Sequence, residues 1–465
     1  MPPISLIIIG AGPAGYECAV RAAKRGVQVT LIEEKSVGGV CLREGCIPTK
    51  CLCRTAELLD EINAAASFGI CLPEGTPRVD LAQAVGRKDG VVASLMQGVS
   101  ALLKHPNIRL VEGRAQFAPD GGGKTVIVNG ERLTADYVII ATGSRPRPLP
   151  IPGADLGGVV TSTELLSETT LPESLAIIGG GVIGVEFATF YSHLGCQVTL
   201  VEGMANLLPQ LDRERGQNLA QLLNKQGVEV LTSAMVQSLE PAEGGLCVHL
   251  RQKDKDVAVT GEKVLCAIGR RAYFDGLFAP EMMPALNGKR LLVDENYQTS
   301  IPGVYAIGDC VFGKAQLAHT ASAMGEVAAE NIMGIPAVYD EKTNPTCVYM
   351  EPEAASVGLT EEQAKAKGID YVVGKFPMSA NGKALILNGG EGLVKIIAGK
   401  EFGEILGMHI IGPRATDLIC EGALAIEGEM TLDEIIATIH SHPTVTETMR
   451  EAALQAEKRA IHTKN

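Results

Sequence analysis

The chain has no excess of positive charge. Its 41 Lys and Arg face 54 Asp and Glu, a net charge of −13. That argues against a nucleic-acid surface and for a soluble acidic protein. Long hydrophobic runs are missing too. The apolar stretch "LIIIG" at residues 6–10 is too short to cross a bilayer, and no 18-residue apolar run follows, so no membrane association is expected. No basic segment of the kind a secretory signal carries precedes Leu6, and the expected compartment is the cytoplasm. Low-complexity and coiled-coil segments are also absent. What is abundant is apolar residues, 46%, and glycine, 53 of 465 residues. A chain of this length exceeds one compact core and predicts two to four domains. Four of its 12 cysteines fall in "GGVCLREGCIPTKCLC", residues 38–53. In a reducing cytoplasm such a cluster points to catalysis or metal binding rather than to a staple.

An internal repeat sets the architecture. "GAGPAGYECAVRAAKRGVQVTLIEE" begins at Gly10 and "GGGVIGVEFATFYSHLGCQVTLVEG" at Gly179. The offset places Gly10, Gly12 and Gly15 on Gly179, Gly181 and Gly184, Glu17 on Glu186, and Glu33 on Glu202. Each copy follows a short β-branched strand ("ISLIII", "ESLAII"), continues as a helix and ends in a second strand closing on Glu. This is the dinucleotide fingerprint. The glycines allow a tight turn and close approach of a pyrophosphate to a helix N-terminus, and the terminal acid accepts from a ribose hydroxyl. One such motif is weak; two with matched strand, helix and acid predict two bound dinucleotides.

Other fragments fit an α/β plan. "ADYVIIATGSRPRPLPIPG" reads as a buried strand running into a domain crossing, and "VLCAIGRR" repeats that pattern at residues 264–271. "GVYAIGDC" ends on Asp309, which suits sugar hydroxyls or, equally, a turn or helix cap. After about residue 342 the texture becomes α+β. In the cysteine cluster, spacings of four, four and one lack the paired C-x-x-C knuckle of zinc sites, so no metal is expected. Pro48 suits the first turn of a helix through "TKCLCRTAELLDEI". Cys46 then sits at the positive helix end, which favours its thiolate, and Lys50 lies one turn on. Cys51 and Cys53 read as small core residues, and the loop between Cys41 and Cys46 permits a disulfide. Near the C-terminus, "HSHPTVTETMREAALQAEKRA" places His440 and His442 before a helix whose Thr444 and Glu447 match a capping box.

Taken together, the first fingerprint, "GGVCLREGCIPTK", the second fingerprint, "AIGRR", "YAIGDC…QLAH" and "HSHPTVTE" resemble the pyridine nucleotide–disulfide oxidoreductases over essentially the whole length, and within them the branch that oxidises dihydrolipoamide. The resemblance implies two Rossmann-like dinucleotide-binding domains plus a C-terminal α+β interface domain: 1–145 with 275–342 for FAD, 146–274 for NAD, and 343–465 for dimerisation. It implies a redox disulfide in which Cys46 faces the flavin and Cys41 exchanges with substrate. Lys50 would approach the flavin and pair with Glu186. Glu33, Ala115, Thr142, Gly143, Asp309 and Ala318 would contact FAD, and Val236 and Gly269 would line the NAD site. His442 would be the acid/base, oriented by Glu447, reaching the cysteines of the other subunit of a homodimer; His440 would be scaffold. "CLREGC" departs from the more usual "CLNVGC", placing Arg43 and Glu44 between the sulfurs.

Smaller clues choose within the family. Glu202 accepts from the ribose hydroxyls of NAD and repels the 2′-phosphate of NADP, and residues 203–208 ("GMANLL") carry no Arg to receive a phosphate. No cysteine follows Cys420, so the C-terminal redox pair of mercuric reductases and large thioredoxin reductases is not expected. The expected activity is FAD-dependent oxidation of dihydrolipoamide by NAD. The lipoyl group would arrive on a protein of a 2-oxo-acid dehydrogenase complex or glycine cleavage system. The alternative is an NAD(P)H-dependent reductase of another small disulfide.

Overall fold

The computed structural model describes residues 3–73, 75–208 and 212–464. Strand β1 (Ser5–Ile9) is apolar on both faces, with Leu6, Ile7 and Ile8 almost fully buried, as a central parallel strand requires. Helix α1 (Pro13–Lys24) opens on a proline and buries Ala14, Cys18, Ala19, Ala22 and Ala23. Ala14 and Cys18 let it lie close to the helix Ala318–Ile332, where a Cβ on Gly325 would stand 2.6 Å from the Ala14 carbonyl oxygen. Strand β2 (Gln28–Glu33) returns parallel to β1, with Leu31 beside Ile8. The finished parallel sheet has the order Val304–Ala306, Tyr137–Ile140, β1, β2, Ile108–Glu112. Its first strand comes from far along the chain. Between β2 and Ile108–Glu112 the chain inserts helices α2 (Gly39–Glu44) and α3 (Cys46–Asn63) and the longer helix Leu81–Leu102.

The second unit repeats the first. Strand β3 (Ser174–Ile178), helix α4 (Val182–His193) and strand β4 (Gln197–Val201) form the same crossover, in a parallel sheet ordered Glu229–Leu231, β4, β3, Lys263–Cys266, Val159–Val160. An antiparallel sheet of β5 (Ala234–Ala242), β6 (Gly245–Gln252) and β7 (Lys255–Gly261) is attached to it.

A third core forms on a five-stranded antiparallel sheet ordered Thr346–Val348, Ala354–Gly358, Ile405–Ile411, Leu393–Gly399, Tyr371–Pro377. Helices α5 (Ala415–Glu427) and α6 (Glu447–Ala456) contribute Ile419 and Met449 to its core. Helix α6 lies so close to the edge strand that a Cβ on Gly374 would stand 1.9 Å from the Ala452 carbonyl oxygen. This sheet is tied to the second unit by Lys395, whose Nζ donates to Asp212 Oδ2 at 2.9 Å with both side chains 1% exposed. Burial disfavours ionising Asp212, but Lys395 outweighs it and holds the carboxyl below its usual range.

Candidate active site

The glycine loops match in stereochemistry. Gly10 and Gly179 have φ of +106° and +114°, and a Cβ on either would stand 2.4 Å from a carbonyl oxygen, of Ala141 or Ala267. Gly15 and Gly184 let each helix touch its own loop, since a Cβ there would lie 1.8 or 1.9 Å from the oxygen of Gly10 or Gly179. Gly12 and Gly181 differ. The nearest atom to a Cβ on Gly12 is Gly39 Cα at 3.7 Å, and a Cβ on Gly181 meets nothing within 4 Å. Both line a cavity at a helix N-terminus, the space and polarity a pyrophosphate needs.

The acids match as well. Glu33 Oε2 accepts from the Ala11 N–H at 2.7 Å and its Oε1 from the Lys35 N–H at 2.9 Å. Glu202 Oε2 accepts from the Gly180 N–H at 2.6 Å and its Oε1 from the Met204 N–H at 2.6 Å. An ionised carboxylate has further lone-pair sites, so each acid braces its loop and keeps capacity for a ribose hydroxyl.

Cys41 lies within α2, a short helix where the sequence suggested a loop. Gly45, at φ −148° and ψ −108°, breaks it, and α3 begins at Cys46 as expected. Both cysteines are free thiols in the structure. Interaction with the Cys41 thiol, helped by the Lys50 charge and opposed by burial, lowers Cys46 to about 7. The same interaction, followed by burial, pushes Cys41 strongly up. At neutral pH the pair therefore divides into one protonated thiol and one sulfur poised to ionise. Of the remaining two, Cys53 is buried as expected, while Cys51 is only half-buried.

Lys50 reaches across to the second unit. Its Nζ donates to both Glu186 oxygens at 2.9 Å, and Glu186 is 3% exposed. Burial alone would depress Lys50, but the Glu186 charge and hydrogen bonds prevail and raise it. Tyr349 completes the cluster from the third sheet: its ring lies under Lys50 Nζ at 4.6 Å and its N–H donates to Glu186 Oε1 at 3.1 Å. No spacing in "TCVYMEP" foretold this residue.

One cavity of about 2570 Å³ unites these groups. A single ligand site usually takes about 300–1,000 Å³, so this volume suits more than one ligand. Its walls hold Cys41, Cys46, Lys50 and Glu186, together with Ala115, Thr142, Gly143 and Ala318 on the first unit's side. Glu202, Val236 and Gly269 line the second unit's side. Asp309 is also there, in a relay the sequence did not reveal: Arg270 Nε donates to Ser144 Oγ at 2.7 Å, and Ser144 Oγ donates to Asp309 Oδ2 at 2.6 Å. Burial raises the Asp309 carboxyl, with Ser144 and Arg270 opposing. Thr142 Oγ1 is buried without a hydrogen-bond partner among the described residues.

His442 is elsewhere. Its Nδ1 lies 2.9 Å from Glu447 Oε1, its side chain is 79% exposed, and it does not line the cavity holding the cysteines. Burial would raise Glu447, but the Thr444 N–H and His442 lower it. Only half of the expected capping box forms. The Thr444 N–H reaches Glu447 Oε2 at 2.9 Å, but the Thr444 hydroxyl turns to the Ser441 carbonyl at 2.7 Å, and α6 starts at Glu447 itself. His440 is saturated by Thr438 O at 3.0 Å and Glu421 Oε1 at 2.9 Å.

Two dinucleotide cradles meeting at an asymmetric thiol pair define a flavin- and nicotinamide-dependent disulfide oxidoreductase, with FAD and NAD as its cofactors. Residues 4–325 match the family described as pyridine nucleotide-disulphide oxidoreductase, and residues 344–453 match its dimerisation domain. The chain belongs to this family. It is 41% identical to a dihydrolipoyl dehydrogenase of Bacillus subtilis, across 99% of this chain and 100% of that one. It is 42% identical to one from Thermus scotoductus, across 100% of both. Among solved structures, LpdA from Mycobacterium tuberculosis superposes with a TM-score of 0.88 at 28% identity, covering 97% of this chain and 99% of that one. The HOCl-induced flavoprotein disulfide reductase RclA from Escherichia coli gives a TM-score of 0.84 at 29% identity, with the same coverage of both chains.

Proposed function

We propose that the chain oxidises protein-bound dihydrolipoamide to lipoamide and delivers the two electrons, through a Cys41–Cys46 redox pair and FAD, to NAD. The observation that carries this reading is the divided thiol pair beside Lys50 and Glu186, in one cavity that reaches both glycine loops. The full-length relatives named dihydrolipoyl dehydrogenase support the substrate. The first cradle, with Glu33, Thr142, Asp309 and the backbone of Ala115 and Ala318, suits FAD. The second, with Glu202, Val236 and Gly269, suits NAD. Residues 1–145 with 275–342, 146–274 and 343–465 would be the corresponding FAD, NAD and dimerisation domains. The return of Val304–Ala306 to the first sheet supports that division.

With the cysteines joined as a disulfide, one dihydrolipoamide thiol gives its proton to His442 and attacks Cys41 Sγ. The S–S bond breaks and Cys46 leaves as a thiolate, the form its environment favours. The second lipoyl thiol then attacks the mixed disulfide, releasing lipoamide and the Cys41 thiol. Cys46 and Cys41 give up the electron pair and a proton and re-form their disulfide, and His442 releases the proton it took to solvent. Bound FAD supplies the two-electron carrier, and bound NAD the hydride acceptor. Lys50 balances the Cys46 thiolate, and Glu186 and Tyr349 fix Lys50. Glu447 holds His442 Nδ1 and leaves Nε2 for the substrate proton.

His442 stands outside its own chain's cavity, so it would serve the cysteines of a second copy. Ile439, 95% exposed and three residues before His442, and Leu424, 63% exposed on α5, supply apolar surface for that contact. No helix among the described residues is long and apolar enough to cross a membrane. A cytoplasmic enzyme meeting a lipoyl-bearing protein of a 2-oxo-acid dehydrogenase complex or glycine cleavage system fits this reading. The test is a single turnover: oxidised enzyme mixed with dihydrolipoamide and NAD should form NADH. No NADH, with NADPH-driven reduction of oxidised glutathione instead, would assign the chain to the other disulfide reductases.

A further inference from the structure

On the outer face of the β5–β6–β7 sheet, three side chains of different donor chemistry stand together, and none of them lines the cavity. Cys247 and His249 are two residues apart on β6, so both project from the face opposite buried Leu246, Val248 and Leu250. Glu240 on β5 is the direct cross-strand partner of Cys247, and Ser238 that of His249. On the other side, β7 pairs Thr260 with Cys247 and Ala258 with His249, so the backbone of β6 is held on both edges. His249 Nε2 is 2.6 Å from Glu240 Oε1, and one ligand atom from each of the three residues lies within 4.8 Å of the others.

We propose that Glu240, Cys247 and His249 form a three-ligand site for a zinc(II)-type divalent cation, with water as the fourth ligand. Thiolate, imidazole and carboxylate are the donors zinc takes, and three protein ligands plus water are a common arrangement for it. The thiolate and carboxylate together balance the dication. Calcium and magnesium need more oxygen ligands than this face provides. In a tetrahedron with metal–ligand bonds of about 2.0–2.3 Å, donor atoms stand about 3.3–3.7 Å apart. The Glu240–His249 contact is tighter than that, and the widest separation in the trio is at most 4.8 Å. Side-chain rotations close the difference without moving the sheet. On binding, Cys247 releases its thiol proton, and the Glu240–His249 hydrogen bond is exchanged for two metal bonds.

The test uses the FAD-loaded enzyme in its oxidised form, where a Cys41–Cys46 disulfide cannot compete for metal. After treatment with a chelator, zinc(II) is titrated calorimetrically, and cobalt(II) is titrated with absorption read to the red of the flavin bands. The expected result is one equivalent per chain with tetrahedral cobalt bands. Cys247→Ser and His249→Ala should each weaken binding at least about tenfold, with FAD content and dihydrolipoamide turnover unchanged. Cys71→Ser, at an exposed cysteine remote in sequence, should bind as the wild type does. No binding by the wild type, or the same affinity in Cys247→Ser and His249→Ala, would leave Glu240–His249 as an ordinary surface ion pair and overturn the proposal.

Discussion

Around Glu33 the rim of the first cradle is clasped. The Arg145 guanidinium lies 3.4 Å from the centre of the Tyr273 ring, and the Tyr273 hydroxyl donates to Glu34 at 3.0 Å. At the matching rim of the second cradle, Met204 is 58% exposed and Met235 64% exposed. The loops, the acids and their hydrogen bonds correspond residue for residue, so the difference lies in what surrounds them. A clasped rim suits a cofactor that stays bound through many turnovers, whereas an open one suits a coenzyme that enters and leaves on each. The insertions follow the same division. Only the first unit carries α2 and α3 after its second strand, and with them the thiol pair. The second unit contributes Glu186, a single side chain that fixes Lys50 from across the boundary.

The largest loss is expected at the thiols. Cys41→Ser or Cys46→Ser should lower dihydrolipoamide turnover by at least about 10³-fold while FAD stays bound, because neither sulfur builds the glycine loop. Cys46→Ser should also lose the long-wavelength charge-transfer absorption expected, on two-electron reduction, of a Cys46 thiolate placed against oxidised flavin. If Cys41→Ser loses that band instead, the two sulfur roles are reversed. In the wild type the band should fade as pH falls through about 7, because Cys46 ionises with a depressed pKa and its thiolate exists only above it.

Next in size is His442→Gln, expected to cost about 10² to 10⁴ in turnover while NADH still reduces the flavin normally. His440→Gln should leave turnover close to wild type, since both of its ring nitrogens are engaged within the third domain. Equal losses in the two variants would reverse the choice of base.

Glu202→Arg and Glu33→Arg separate the two cradles. A carboxylate about 4 Å from a 2′-phosphate is opposed by about 1–4 kcal/mol, depending on screening. Removing it at Glu202 should weaken NAD and admit NADP, with FAD content unchanged. The same change at Glu33 should instead release FAD. Smallest is Gly181→Ala, whose added methyl meets no protein atom within 4 Å and projects into the cavity proposed for the coenzyme. It should raise the KM for NAD by about tenfold or less at unchanged thermal stability. Gly184→Ala, which would press a methyl to 1.9 Å from the Gly179 carbonyl, should destabilise the domain outright.

The repeat made most of this legible in the sequence. Gly10 and Gly179 make the tight turn, Glu33 and Glu202 end strands at a fixed distance, and Pro48 marks the first turn of the helix that opens at Cys46; each is a local demand written in consecutive residues. What escaped was non-local. Tyr349 meets Lys50 and Glu186 only because the third sheet packs there, and Arg270 meets Ser144 only through pairing of the strands Ser144–Pro146 and Arg270–Ala272. Helix α2 was hidden because its six residues are bounded by glycines, which read as a loop. Thr444 matched a cap by spacing, yet its hydroxyl donates to Ser441 O and the helix begins only at Glu447. Cys247 and His249 did carry a signal, an i, i+2 pair on one strand face, but their third member arrives only through cross-strand register.

The most direct measurement is steady-state oxidation of dihydrolipoamide by the wild-type enzyme with NAD and with NADP, compared as kcat/KM. NAD should be favoured by at least about 10²-fold, the sum of lost ribose hydrogen bonds and repulsion at Glu202. Equal use of the two coenzymes, or faster reduction of oxidised glutathione by NADPH than of NAD by dihydrolipoamide, would contradict the role given to Glu202 and the assignment of dihydrolipoamide as the substrate.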